Sequence, residues 1–190
     1  NWTNYLHYGA VYLGKDMTLS ILAAVWGIGD RKLYLYGGIE APQLSVRDVA
    51  RRMVGGMGLD KHKCRGIFGN RLMFREDAKT TAAVLDEEIR LVLKAKGSKK
   101  GVYIREPYMY DRMGAVTLIN LMFHRDQIAV HTSLKELSRQ LAAWHIDGKE
   151  PAKEGFGLCE ALTLVVSELN QKLKLREKKK PVDSYLPAEP

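Results

Sequence analysis

Three short segments rich in β-forming residues follow one another near the start of the chain, and they constrain the fold more than any other feature. Residues 8–13, 19–26 and 33–36 are apolar and carry many Leu, Val and Tyr side chains. The links between them contain Gly14-Lys15-Asp16 and Gly29-Asp30, and such residues are typical of tight turns. Three consecutive strands with short connections predict an antiparallel meander.

The spacing of apolar residues changes from a strand pattern to a helical one after the meander. Ser45 with Asp48, and Ser133 with Glu136, have the spacing of helix N-terminal caps. Further strands are predicted at 64–69, 102–104 and 127–130, and helices at 45–54, 81–94, 111–123, 133–144 and 158–173. This order predicts an α/β domain with a mixed sheet, an antiparallel meander extended by parallel strands and flanked by helices.

Composition restricts the class of protein. The chain has 30 Lys and Arg against 22 Asp and Glu, a formal charge of 30 − 22 = +8, and 46% hydrophobic residues. Collagen-like, low-complexity and wholly disordered chains are excluded by that balance. The longest apolar run, residues 19–26, is too short for a membrane span. Two cysteines, Cys64 and Cys159, give neither a disulfide framework nor a CxxC zinc motif, and they favour a reducing compartment.

The positive charge is unevenly distributed along the sequence. Residues 172–180 hold six basic residues and one acidic residue, which supplies 6 − 1 = +5 of the +8. Residues 181–190 contain three of the six prolines and no apolar period. We therefore expect a folded domain over residues 1–171 and a basic, then proline-rich, tail over residues 172–190.

The order and spacing of these segments resemble the C-terminal nuclease domain of phage terminase large subunits, which has a ribonuclease H-like fold. The resemblance rests on the glycine lead-in Tyr8-Gly9, on residues 21–27 and 33–36 of the meander, and on residues 99–120 and 128–147. It implies a domain that acts in viral DNA packaging and cleaves double-stranded DNA with two divalent metals, Mg²⁺ or Mn²⁺. It also implies an ATPase domain, a small terminase subunit and the portal as partners, in the cytoplasm of an infected bacterial host.

The family's metal-binding residues can be carried over one position at a time. The acid of the last helix matches Glu160, and the acid at the end of strand 64–69 falls at Asn70. The acid of the first strand falls at Ala10 or Val11, so the first carboxylate available is Asp16 in the following turn. The resemblance thus implies Glu160 and Asp16 as catalytic residues, with Glu160, Asp16 and Asn70 as metal ligands.

Two interpretations of the function remain open at the level of sequence. The third-strand acid of some family members falls at Gly37 or Gly38, and the histidine before the last acid falls at Gly157. If the domain is active, it is a metal-dependent endonuclease in which Asp77 can join Asp16 and Glu160. If its metal ligands are lost, it is a DNA-binding or assembly module without a metal, because several carboxylates are needed to hold two Mg²⁺ ions.

Basic residues near the expected site are candidates for contact with DNA. Arg71 and Arg75 follow strand 64–69, and Lys99 and Lys100 precede the next strand. Such side chains can pair with backbone phosphates. The competing interpretations are structural: Lys-rich loops are often only solvated, Asp16 and Asn70 are common turn residues, and Glu160 can be an ordinary helix residue.

Overall fold

The computed structural model describes residues 4–42, 45–58, 64–75, 81–98, 102–144, 146–147, 150–152 and 154–177. Within these ranges the chain forms a six-stranded sheet, a two-stranded ribbon, five α-helices and a short 3-10 helix. No helix in these ranges combines the length and the apolar character needed to cross a bilayer.

The six-stranded sheet is mixed, as the sequence predicts. Its strands are β1 (Tyr5–Leu13), β2 (Leu19–Gly27), β3 (Leu33–Ala41), β4 (Cys64–Gly69), β5 (Ile104–Arg105) and β6 (Ile128–Val130). They lie in the order β5-β4-β1-β2-β3-β6. β1, β2 and β3 form the antiparallel meander, whereas β4, β5 and β6 each run parallel to the neighbour they join. The predicted fold class is confirmed.

Helices cover both faces of the sheet. The helices are α1 (Val46–Gly56), α2 (Thr81–Ala95), α3 (Arg112–His124), α4 (Lys135–Ala143) and α5 (Gly157–Glu177). Side chains alternate between faces along a strand, so Ala10 of β1 belongs to the core cluster that includes residues of α3 and α5, whereas Val11 belongs to the cluster that includes residues of α1 and α2. Central strand β2 is buried at every residue because both of its faces are covered.

Some boundaries differ from the sequence prediction. β3 does not end at Tyr36 but continues through Gly37 and Gly38 to Ala41, because pairing with β2 carries it past a bulge opposite Ala23 and Ala24. Ser133 does not cap α4; its hydroxyl contacts Nδ1 of His131 at 2.7 Å instead. The helix begins at Lys135, after Leu134.

A two-stranded ribbon and a 3-10 helix lie outside the main sheet and the α-helices. The polar link before the last helix forms a two-stranded ribbon, β7 (Ile146–Asp147) with β8 (Glu150–Pro151), which the sequence pattern did not predict. The 3-10 helix Arg71–Phe74 directly follows β4. The other helix predictions hold to within a few residues, and Ser45 caps α1 by accepting from the amide of Asp48 as predicted.

Candidate functional site

The carboxyl ends of β1 and β4 meet at one edge of the sheet because these two strands are parallel neighbours. The start of α5 lies at the same edge. A Cβ placed on Gly157 would lie 2.0 Å from Oγ of Ser20, and Ser20 pairs with Tyr12 near the end of β1. Glu160, one turn into α5, is therefore held beside the strand ends where the sequence predicts a metal site.

Glu160 is engaged by an arginine. Its carboxylate accepts from Nε of Arg112, with Nε to Oε2 at 2.8 Å, and Nη2 of Arg112 contacts Oε1. Glu160 is buried, with 2% of its side chain exposed, and Arg112 is mostly covered, with 13% exposed. Arg112 is the first residue of α3, and Asp111 fixes that helix end by accepting from the amide of Gly114 at 2.9 Å. The result is a charge-assisted, two-pronged ion pair in a largely dry setting.

Hydroxyl groups surround this ion pair. The hydroxyl groups of Tyr110 and Thr163 lie 2.7 Å apart, and Thr163 donates to the carbonyl of Glu160 at 2.7 Å. Burial raises the pKa of Tyr12, and the charge of Glu160 raises it further while Arg112 opposes the shift. Burial also raises the pKa of Tyr110 well above its ordinary value. Both phenols thus stay protonated and available as hydrogen-bond donors at neutral pH.

Asn70 links the ends of β1 and β4 by hydrogen bonds. Its Oδ1 accepts from the amide of Leu13 at 3.0 Å, and its Nδ2 donates to the carbonyl of Leu13 at 3.0 Å. Because β1 ends at Leu13 and β4 ends just before Asn70, this side chain continues the ladder between the strands by one step. The amide group is engaged on both sides by backbone, and its predicted role as a metal ligand has no support from this geometry.

Asp16 lies in the turn between β1 and β2. Its carboxylate accepts from Oγ1 of Thr18 at 2.8 Å and from the amide of Thr18 at 3.1 Å. These hydrogen bonds from Thr18 lower the pKa of Asp16. The side chain is close enough to the site for its charge to act on Tyr12, yet its local contacts are those of a turn residue.

The predicted DNA-contacting residues fall into two groups. Arg71 and Arg75 are exposed at the two ends of the 3-10 helix, next to Asn70 and the end of β4. Lys99 and Lys100 lie outside the described residues, as does Asp77. Two of the four basic candidates therefore border the edge that carries Glu160 and Asn70.

A second polar cluster, which the sequence pattern does not predict, lies at the start of α5. Oε1 of Glu40 accepts from Nε2 of Gln140 at 2.8 Å and from Oγ of Ser20 at 3.2 Å. Oε1 of Gln140 in turn accepts from the amide of Leu158 at 3.0 Å. Glu40 is not among the predicted site residues because the predicted third strand ends at Tyr36. Its position near the end of the third strand is the one available signal.

The part of the chain that the structure describes does not form a two-metal centre. Within the described ranges, no three His, Cys, Asp or Glu side chains come together as they would to hold a metal ion. Two divalent ions need several carboxylates to offset their charge and lost hydration. Here Glu160 is paired with Arg112, Asn70 with Leu13 and Asp16 with Thr18. The predicted ligands serve hydrogen bonds within the protein instead.

Comparison with solved structures gives the fold an independent test. The nuclease domain of the large terminase of phage P22 superposes with a TM-score of 0.65 at 9% identity, over 93% of this chain and 88% of that one. The chain shares the fold of phage terminase nuclease domains. The nuclease domain from phage SPP1, solved with bound Mn, gives a TM-score of 0.59 at 7% identity, over 87% and 86% of the two chains.

A longer terminase matches this chain over part of its own length. The large terminase of a thermophilic bacteriophage superposes with a TM-score of 0.60 at 14% identity, over 90% of this chain. The aligned part spans only 44% of that terminase. No protein-family model and no curated protein matches the sequence. The likeness therefore lies in the fold, as the order of the sequence segments predicts.

Proposed function

We propose that this chain is the nuclease-type domain of a viral DNA-packaging terminase large subunit, and that it binds DNA or partner subunits without cleaving DNA. The proposal that the domain does not cleave DNA rests on the Arg112–Glu160 pair. The carboxylate that the resemblance assigns to the metals is neutralised by a guanidinium from α3. A divalent ion at Glu160 would have to displace that buried cation.

The packaging role is supported by the fold and by its extent. Structures with this fold at similar coverage include three phage large terminases. The terminase of the thermophilic phage is more than twice as long as the part that this chain matches. An ATPase domain, a small terminase subunit and the portal follow as proposed partners, and the infected host cytoplasm follows as the place of action.

The loss of cleavage is argued from charge. Two-metal hydrolysis needs one ion to activate water and another to stabilise the leaving oxygen, and both ions must be held by carboxylates. Arg112 brings one positive charge to this position permanently, since a guanidinium does not lose its proton in proteins. It can hold the α3 and α5 helices together, but it cannot deliver a metal-bound hydroxide. The domain would then act by binding DNA or partner subunits at its surface.

Plasmid nicking tests the loss of activity. Purified protein is incubated with supercoiled plasmid and Mn²⁺ or Mg²⁺, beside a Glu160→Ala variant and an active terminase nuclease domain as a positive control. We expect no nicking above the Glu160→Ala background. Metal-dependent nicking that disappears in Glu160→Ala would establish a working endonuclease, with Glu160 and Asp16 as the first ligands to examine, and would overturn the proposal.

DNA binding is tested separately by retardation of a duplex over a range of salt concentrations. The binding constant K falls as salt rises, so the slope of log K against log salt is negative. Reversing the charges of Arg71 and Arg75 together is expected to make this slope shallower by roughly 1.8, about 0.9 for each phosphate that is no longer neutralised. The matched control is Arg90→Glu with Lys94→Glu, which reverses two exposed charges on α2. Equal weakening in both variants would show attraction by net charge alone. If no DNA is bound, the assembly role is the part of the proposal that remains.

A further inference from the structure

A groove runs along the outer side of β3. Its cavity volume is about 600 Å³. Arg51, Arg52 and Met57 from α1 and its end form one wall, and Ser133 with Leu134 form the other. Backbone of β3 around Gly37 and Gly38 forms the floor. We call this feature the β3 groove.

The floor of the β3 groove is an open strand edge. β6 pairs with β3 only from Leu33 to Leu35, and the last bond is from the amide of His131 to the carbonyl of Leu35 at 2.9 Å. Beyond that point the chain of β6 turns away into α4, while β3 continues to Ala41. Among the described residues no strand pairs with this outer edge from Tyr36 onward. An unpaired edge offers backbone donors and acceptors to an incoming strand.

The groove is narrow at its base because the two glycines bring its walls close. A Cβ at Gly37 would lie 3.3 Å from Cγ of Met57, and a Cβ at Gly38 would lie 3.4 Å from Cδ2 of Leu134. The hydroxyl of Tyr36 donates to the carbonyl of Met57 at 3.0 Å and fixes one wall to the strand. An extended backbone fits between such walls more readily than a helix does, since a helix with side chains is about 10 Å wide.

The charge of the groove is positive. Of the described residues that line it, two are arginines and none is acidic. Arg51 is 63% exposed and approaches Asp48 only at 3.8 Å, and Arg52 is exposed. Glu40, the nearest acid on β3, is occupied by Gln140 and Ser20. Exposed positive charge beside an open edge favours a negatively charged occupant.

We propose that the β3 groove binds an extended acidic peptide segment of another protein, which adds to β3 as a strand in line with β6. Backbone hydrogen bonds to β3 would supply affinity, and acidic side chains facing Arg51 and Arg52 would supply selectivity. A second copy of this chain is disfavoured because two such edges would bring four arginines together. The proposal is independent of whether the domain cleaves DNA.

Titration by two-dimensional amide NMR tests this proposal. The probe is a blocked hexapeptide that alternates Val with Glu, used up to millimolar concentration. We expect amide shifts confined to residues 36–41, 51–57 and 131–134, together with slower hydrogen exchange in residues 36–41. Arg52→Glu should weaken binding at least about tenfold, since it places like charges in contact. Arg90→Glu, the matched charge reversal on α2, should leave binding unchanged.

Control ligands separate strand addition from attraction by charge. The same hexapeptide with prolines in place of two valines keeps its charge but cannot complete a backbone ladder. Equal binding of the proline peptide, or binding without slower exchange in residues 36–41, overturns strand addition. Absence of shifts at millimolar peptide also overturns the proposal. A DNA duplex that shifts these amides while the peptide does not would make the groove a DNA-binding surface instead.

Discussion

The Arg112–Glu160 pair makes each of its two residues dependent on the other. Arg112→Met would leave the Glu160 carboxylate, which is 2% exposed, without its cation. We expect a loss of about 3–5 kcal/mol in the free energy of unfolding, because breaking a buried pair leaves an uncompensated charge. The double variant Arg112→Met, Glu160→Leu should be more stable than Arg112→Met alone. Urea denaturation measures both.

An exposed ion pair provides the control for this experiment. Lys32 and Asp126 lie at the surface, with 34% and 85% of their side chains exposed. Lys32→Met should cost no more than about 1 kcal/mol, since exposed pairs are screened by solvent. If Arg112→Met were as mild as Lys32→Met, Glu160 would not need its partner, and the argument that Arg112 takes the place of the metals would lose its basis.

The raised pKa of Tyr36 predicts that the protein becomes less stable in alkaline solution. Burial raises the pKa of Tyr36 to about 12, with a smaller contribution from Cys64, whereas an unfolded tyrosine titrates near 10. Between these values the unfolded chain loses a proton that the folded chain keeps, so stability falls as pH rises. The raised pKa contributes about 3 kcal/mol to the free energy of unfolding. This contribution is present below pH 10 and is lost by pH 12.

Tyr36→Phe isolates that contribution. The variant should lose about 1 kcal/mol at neutral pH, because the hydrogen bond to the Met57 carbonyl is gone. Its stability should then fall less steeply than that of the parent protein between pH 10 and pH 12. Urea midpoints measured from pH 7 to 12 give both curves, which should run parallel below pH 9. Parallel curves over the whole range would show that Tyr36 titrates normally in the folded chain.

At the scale of elements, the position of α5 depends on a glycine at its first residue. A Cβ at Gly157 would lie 2.0 Å from Oγ and 2.9 Å from Cβ of Ser20. Gly157→Ala should therefore destabilise the protein by about 1–3 kcal/mol, as overpacked sites do, and Ser20→Ala should recover part of the loss. Gly55→Ala in α1 is the control, since its Cβ meets only Nζ of Lys96 at 3.9 Å and alanine favours helix. Equal losses at both glycines would refute close packing at Gly157.

The same close approach bears on function. The histidine that the resemblance places three residues before the last acid corresponds to Gly157, where Ser20 leaves no room for a side chain. The position therefore serves the packing of α5 against β2. A histidine placed there alone would require α5 to move away from the sheet.

Most elements could be predicted because their signals are local. The caps and apolar spacing of α1 and the run of β-formers in β2 depend on residues close in sequence. The extension of β3 through Gly37 and Gly38 could not be predicted, because glycine usually interrupts strands and only pairing with β2 keeps these residues extended. Ser133 misled the prediction of α4, since its hydroxyl is used by His131.

The candidate site was predictable only in part. Glu160 was identified from the resemblance, and the structure buries it at the expected edge of the sheet. Arg112 was not identified, because its partner lies 48 residues away in sequence and arginine at a helix start has no special signature. The use of Asn70 as a link to Leu13 is likewise a contact between residues distant in sequence. Such pairings depend on the packed fold rather than on any local pattern.

At the scale of the whole molecule, charge and fold give different information. Residues 172–180 supply +5 of the +8, so the rest of the chain is only weakly basic. Under the proposed function, a duplex would therefore be attracted by particular patches, such as Arg71 and Arg75, rather than by a uniformly positive surface.

Divalent metals should not change the melting temperature of the protein. A metal that binds only the folded state stabilises it by RT ln(1 + [L]/Kd), about 2.7 kcal/mol at one hundred times Kd. For a chain of this size that would raise Tm by roughly 5–10 °C. Because Glu160 is already paired with Arg112, we expect equal Tm values in Mn²⁺, in Mg²⁺ and in EDTA at matched ionic strength. A rise in Mn²⁺ that Glu160→Gln abolishes would mean that the carboxylate exchanges its arginine for a metal, and the domain would have to be treated as a nuclease.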